Sequence, residues 1–179
     1  MKQDIHDLLA NVAQGSMHAL GELYDLLSAR VFNYAKTITQ NREMAEDITH
    51  DVFLQVNRHA LRIAKAADPV AYMMTMTRNH YYDLIKRNGP PNVSLDDISG
   101  LRGYAAPDSL LFENAFATLP ASQREAVYLH LICGFTHEEA ANIQGVPLVT
   151  VKWRYGKALE QLKAYFALNG MEENYNEPQ

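Results

Sequence analysis

A chain of 179 residues, 47% of them apolar, holds enough hydrophobic material for one or two packed domains. Its one cysteine, Cys133, excludes an intramolecular disulfide framework, and no run approaches the roughly 20 apolar residues that a membrane span needs. The net charge of −5 speaks against a uniformly basic nucleic-acid binder, but residues 1–89 carry ten Lys/Arg against ten Asp/Glu and residues 110–166 five against five, so the excess acid lies between and after two neutral bodies.

The opening "MKQDIHDLLANVAQGS" reads as an amphipathic helix over about Asp4 to Gln14, stopped by Gly15. It has no apolar run of the kind a secretion signal carries, so a cytoplasmic protein without membrane insertion is expected. Ser16 can cap a second helix that turns Leu20, Leu23, Leu27, Val31, Tyr34 and Ile38 inward. Asn41 can cap a third, "REMAEDITHDVFLQVNRHA", with Met44, Ile48, Val52 and Val56 in line and Ala45 and Phe53 beside them. Asp68-Pro69 pairs an N-cap with proline at the first helical position and starts a fourth helix that runs to about Lys86.

"RNGPPNVSLDDISGLRGYAAPDS", Arg87 to Ser109, has Pro-Pro, further turn-prone clusters and no helical period, which predicts a flexible linker over residues 90–108. Beyond it Ser109 can cap a helix ending near Leu119-Pro120, and the next helix runs to Cys133 and stops at Gly134. Thr136 with Glu139 three residues on is a capping-box pattern. The short helix it starts ends at Gln144-Gly145. A last helix begins near Leu148 and buries Leu148, Val151, Tyr155, Ala158, Leu159, Leu162, Tyr165 and Phe166. The acidic end, residues 169–179, has the composition of a disordered tail. The expected fold is all-α: two small helical domains, residues 1–89 and 109–168, the second ending in a helix-turn-helix.

Such a motif reads the major groove with the start of its second helix. Here that start offers Val149, Thr150, Lys152, Trp153 and Arg154, with Lys157 one turn further. Lys152, Arg154 and Lys157 suit phosphates, and Arg154 suits a guanine edge. The same residues also fit a solvated scaffold or a protein-binding face. Trp153, the only tryptophan, falls on the wet side. It can press on DNA, anchor a protein partner, or lie over the stem of Lys157.

"LPASQREAVYLHLICGFTHEEAANIQGVPLVTVKWRYGKALEQLK" resembles region 4 of the extracytoplasmic-function (ECF) sigma factors. "AEDITHDVFLQV" is similar to their region 2.2 and "DPVAYMMTMTRNHYYDLIKR" to their regions 2.3 and 2.4. The resemblance implies a sigma factor that binds core RNA polymerase, melts and reads promoter DNA, and is held inactive by an anti-sigma factor. It implies that Glu46, Asp47, His50, Asp51 and Phe53 contact polymerase. Acids at 47 and 51 stand one turn apart and suit a basic partner, though they equally suit a solvated face. Thr136 matches the region 4 pattern. Arg78, Asn79, Asp83, Lys86 and Arg87 match the melting helix, with Arg62 and Lys65 in the loop before it. Tyr72, Tyr81 and Tyr82 offer stacking faces for unpaired bases, and Tyr72 reads as well as core.

The sequence departs from the family's habit at several points. Tyr72 stands for a common tryptophan, Gln144 for an apolar residue before the turn, Val149 and Trp153 for small residues, and Tyr155-Gly156-Lys157 for a more basic trio. These leave open a sigma-like decoy that binds an anti-sigma factor without reading promoters. The acidic "SLDDIS" suits either a mimic of nucleic acid or a plain solvated linker. His130, Cys133 and His137 cross a helix end and lack a fourth ligand, so neither metal nor cofactor is expected, and no catalytic constellation stands out. A monomer is expected when no partner is bound.

Overall fold

The computed structural model describes residues 2–89 and 109–169; the expected linker and nearly all of the acidic tail lie outside the described residues. Every regular element among the described residues is helical. In chain order they are α1 (Lys2–Ala13), α2 (Met17–Thr39), α3 (Arg42–Ala64), α4 (Pro69–Asn88), α5 (Ser109–Ala117), α6 (Ala121–Val127), α7 (His137–Gln144) and α8 (Leu148–Leu168).

The starts form where the sequence places them. Ser16 accepts a hydrogen bond from the Ala19 amide, Asn41 from Met44, and Asp68 from both Val70 and Ala71. Each satisfies an amide that the first turn leaves without a partner. Thr136 and Glu139 close a reciprocal capping box on α7. Gly145 ends that helix at φ +63°, ψ 37°, a left-handed conformation that glycine adopts without a Cβ penalty.

α1 to α4 pack around Leu9, Leu23, Val31, Ile48, Val52, Val56, Ile63 and Met73, all sealed from solvent. Phe116, Leu119, Val127, Leu129, Ile143, Val151, Ala158 and Leu162 fill the interior among α5 to α8. Tyr34 is fully buried, as its place on the inward stripe of α2 predicts, but its hydroxyl leaves the first group of helices and donates to Glu125 of α6 at 2.6 Å. The two groups are packed together, α2 against α6 and α4 against α7.

Three local features depart from the reading of the sequence. α3 continues to Ala64, through a kink at His59 (φ −122°, ψ 19°), so Arg62, expected in a loop, lies in the last turn of a helix, and Lys65 caps it. The helix after Pro120 does not reach Cys133 as an α-helix. From Tyr128 to Ile132 it widens into a π-turn, the Cys133 amide bonding back to the Tyr128 carbonyl at 3.0 Å. Such turns arise from one extra residue, and no periodicity announces them. Leu148, expected inside, is 39% exposed, because α8 meets the core only from Val151 onward.

Candidate functional site

The face of α3 that the sequence marks for a partner is open where it is acidic. Glu46, Asp47 and His50 are exposed. Glu46 accepts from Arg42 one turn earlier at 2.8 Å, an exposed pair of small energetic weight. Asp51 is half-buried, its carboxylate 3.1 Å from His80 of α4. Phe53 departs from its expected role as a contact residue. It is 6% exposed and packs its ring 4.8 Å from that of Tyr24, so it shapes the surface from beneath. The sequence missed what adjoins it: Met17, Tyr24 and Leu54 are exposed and, with Leu20 and Asn57, line a shallow groove beside His50. Their exposure follows from helix phase, since each sits one position off a buried residue or a turn start.

A second surface lies past the kink of α3. Arg62 and Lys65 are exposed and line a cleft with Arg58 and His59, two residues the sequence reading passed over. The kink turns these four basic-type side chains toward one hollow. Arg62 holds its guanidinium 5.8 Å above the Tyr72 ring, which is half-buried against the core. On α4, Asn79, Asp83, Lys86 and Arg87 are exposed, Tyr82 is 39% exposed, and Tyr81 is buried and closed to stacking.

Arg78 differs from these neighbours. Its Nε donates to Glu125 at 2.9 Å and its guanidinium covers the Tyr82 ring at 4.4 Å. Glu125 is 1% exposed. Burial raises its carboxyl pKa above the usual range, and Arg78, the Tyr34 hydroxyl and Arg154 pull in the opposite direction. One carboxylate oxygen, Oε2, is buried with no hydrogen-bond partner. Burial also pushes the Tyr34 phenol up, aided by the charge of Glu125. Beside it Arg124, held by the carbonyls of Thr37 and Leu119 at 2.8 and 2.9 Å, is lowered to about 10 by desolvation.

The helix-turn-helix presents Val149 (71% exposed), Lys152, Trp153 (59%) and Lys157 along one stripe of α8. Trp153 therefore faces outward, as its place in the helical period predicts. Lys157 bonds Glu160 at 2.7 Å. Thr150 is half-buried. Two candidate residues are occupied within the protein. Thr136 spends its hydroxyl on the capping box, and Arg154 donates to Gln144 Oε1 at 2.6 Å. Gln144 is 1% exposed, and its amide nitrogen has no partner.

The rings of His130 and His137 stack at 4.0 Å, each near Tyr155. His130 bonds the Phe135 carbonyl at 2.7 Å. Desolvation, His130 and Lys152 all lower the His137 pKa. Cys133 offers its carbonyl to Arg30, and burial raises its thiol pKa.

These features define a two-part helical protein with a helix-turn-helix at its C-terminal end. Residues 23–90 match sigma-70 region 2 and residues 109–162 match sigma-70 region 4, together well over half of the chain. The ECF RNA polymerase sigma factor SigK of Mycobacterium ulcerans is 25% identical over 172 residues, covering 89% of this chain and 92% of its own. SigK of Mycobacterium bovis is 24% identical over 175 residues, covering 91% and 94%. Among solved structures, the sigma factor RpoE of Bartonella quintana, in complex with the anti-sigma factor NepR, superposes with a TM-score of 0.68 at 22% identity, covering 85% of this chain and 98% of its own. CnrH in complex with the cytosolic domain of CnrY gives 0.65 at 20%, covering 94% and 99%. The chain belongs to the sigma-70 family, and the relatives it resembles along nearly its whole length are ECF sigma factors. No described helix is long and apolar enough to cross a membrane.

Proposed function

We propose that this chain binds core RNA polymerase, directs promoter-specific initiation, and is held inactive by an anti-sigma factor. One observation carries the reading: a single chain offers an open acidic and apolar face on α2 and α3 and an open basic and aromatic stripe on α8. The first suits a basic partner helix: Asp47 and its neighbours attract it, and Met17, Tyr24 and Leu54 supply apolar area. The second suits duplex DNA, with Lys152 and Lys157 on phosphates and Val149 and Trp153 against base or sugar surface. Residues 1–89 serve polymerase binding and minus-ten melting in this reading, and residues 109–168 serve minus-thirty-five recognition. Asn79, Tyr82, Lys86 and Arg87 with the hollow of Arg58, Arg62 and Lys65 track the separated strand.

The anti-sigma partner rests on kinship: RpoE of Bartonella quintana is bound to the anti-sigma factor NepR, and CnrH to the cytosolic domain of CnrY. The test is transcription on fragmented genomic DNA with core polymerase and this protein, mapping transcript 5′ ends. Discrete starts that share two upstream elements at fixed spacing are expected. Polymerase binding without discrete starts would leave a decoy, and no binding to polymerase would overturn the proposal.

A further inference from the structure

α8 opens with an apolar pair on its outer side. Val149 and Trp153 stand four residues apart, so they share one line along the helix, and both are more than half exposed. Among the described residues no cation or second ring lies against the indole, and Lys157, one turn on, is drawn to Glu160 at 2.7 Å instead. Gly156 leaves the next turn bare. A helical side chain lies over the turn before its own Cα, so a residue at 156 would stand beside the indole. Glycine weakens a helix interior, and a Cβ at this position would meet no neighbour, so the packing of the protein does not call for it. The result is an uncovered apolar ridge.

The charges around the ridge decide what it fits. From Leu148 to Gly156 the helix carries no acid, and Lys152 and Lys157 flank the apolar line on either side. Two ammonium groups astride an apolar ridge match the phosphate rims of a groove with bases between them. The guanidinium expected at guanine is elsewhere. Arg154 lies about 100° round the helix from Trp153 and donates to Gln144 Oε1 at 2.6 Å. Gln144 is sealed from solvent, and its amide nitrogen already lacks a partner. Withdrawing Arg154 would leave the Gln144 oxygen buried and unpaired as well, which holds the arginine in place. An apolar residue at 144 would offer no such acceptor.

The chemistry left on the ridge selects one group on a base pair. Bases present hydrogen-bond donors and acceptors to the major groove, and thymine adds the C5 methyl, which a side chain can contact without pairing a polar atom. Four residues of helix rise about 6 Å, close to two base steps of about 3.4 Å each. We propose that α8 reads the minus-thirty-five element through thymine methyl groups, one against Val149 and one against Trp153, and that Gln144 is the positioning residue that withholds Arg154 from guanine. The inference rests on the promoter-binding reading and names the bases which that reading leaves open.

The experiment uses the full chain with core polymerase and a pool of promoter duplexes randomised across the upstream element. Selection is expected to enrich thymine at two positions about two steps apart. Each thymine is then replaced by deoxyuridine, which removes only the methyl group and needs no protein variant. The affinity of the wild-type complex should fall about threefold for each methyl removed. In Trp153→Ala one of the two replacements should lose its effect, and in Val149→Ala the other. Gln144→Leu should enrich guanine at a position where the wild type shows none, and adding Arg154→Ala should abolish that gain. Base preference separates this role from a structural one, and circular dichroism checks that each variant is folded. A selected element indifferent to deoxyuridine would overturn the proposal and leave the ridge to a protein partner. So would a wild-type preference for guanine that Arg154→Ala removes. Unchanged base preference in folded Gln144→Leu would overturn the role given to Gln144. A chain that binds no polymerase, or selects no element with it, would overturn the promoter reading and this inference with it, an outcome distinct from a selected element that ignores the methyls.

Discussion

Gln144 shows how one buried amide changes the chemistry of its neighbour. Its carbonyl accepts from Arg154, while its amide nitrogen is buried without a partner. An unsatisfied buried donor costs about 1–3 kcal/mol. Replacing it with leucine removes that cost and fills the same space with the kind of residue an apolar position before a turn prefers. Gln144→Leu should raise stability by about 1 kcal/mol in urea unfolding, and lower stability would show that the Arg154 bond outweighs the orphaned donor. Trp153 makes a second case. It is 59% exposed, with no aromatic or cation contact to its ring among those described. Trp153→Ala should weaken binding either to promoter DNA or to an inhibitory partner by more than tenfold, because exposed tryptophans at interfaces carry a large share of the binding energy. Unchanged binding to both would leave the ring a bystander. The outward aim of Trp153 was legible from the three-four spacing of α8. The engagement of Arg154 was not, since nothing local in "KWRYG" tells an arginine to turn toward a glutamine ten residues back.

Among the elements, the helix starts were the most legible part of the chain. Ser16, Asn41, Asp68 and Thr136 each cap the helix that follows, because capping is a matter of a few adjacent residues. Thr136 matters here as a fold residue: its hydroxyl is bound within α7. Thr136→Ala should cost about 0.5–2 kcal/mol in chemical denaturation, with Thr136→Ser close to wild type, and equal stability of all three would remove the capping role. The kink at His59 and the π-turn at Tyr128–Ile132 escaped the sequence because both keep the apolar residues in place and change only the backbone between them. The π-turn leaves Leu131 and Ile132 more than half exposed just before Gly134. The kink brings Arg58 and His59 to the hollow of Arg62 and Lys65, and so enlarges a site that the sequence placed on a loop.

At the scale of the whole molecule, the two domains were legible and their embrace was not. Linker composition marks a boundary, and the family pattern marks both sides of it. Tyr34 reads as core, while nothing in the sequence marks Arg124 and Glu125 as buried, yet α2 meets both across the boundary. Charged residues are rarely buried unless paired, so sequence reasoning places them outside by default. The pairing supplies a pH signature. Burial raises the Glu125 pKa above its ordinary 4.5, with Tyr34, Tyr82, Arg78 and Arg154 as the titratable or charged neighbours. A raised folded value means that the native state holds the proton more readily. The contribution is therefore full below pH 4.5 and is lost as pH rises through the folded value. Glu125→Gln should flatten that part of the stability curve, measured as urea midpoints from pH 4 upward. Parallel curves for the two proteins would show that folding leaves the Glu125 pKa unshifted.

The two bodies are also one covalent chain, joined through residues 90–108. Tethering converts their encounter into an intramolecular one, at an effective concentration of about millimolar for a short connection. A contact too weak to hold two separate proteins together at cellular concentrations still keeps a tethered pair together for much of the time. The same weakness makes it easy to displace. A competitor has to overcome only the intrinsic contact multiplied by that local concentration, so a large multisubunit partner that grips both bodies at once can open the molecule without any chemical fuel.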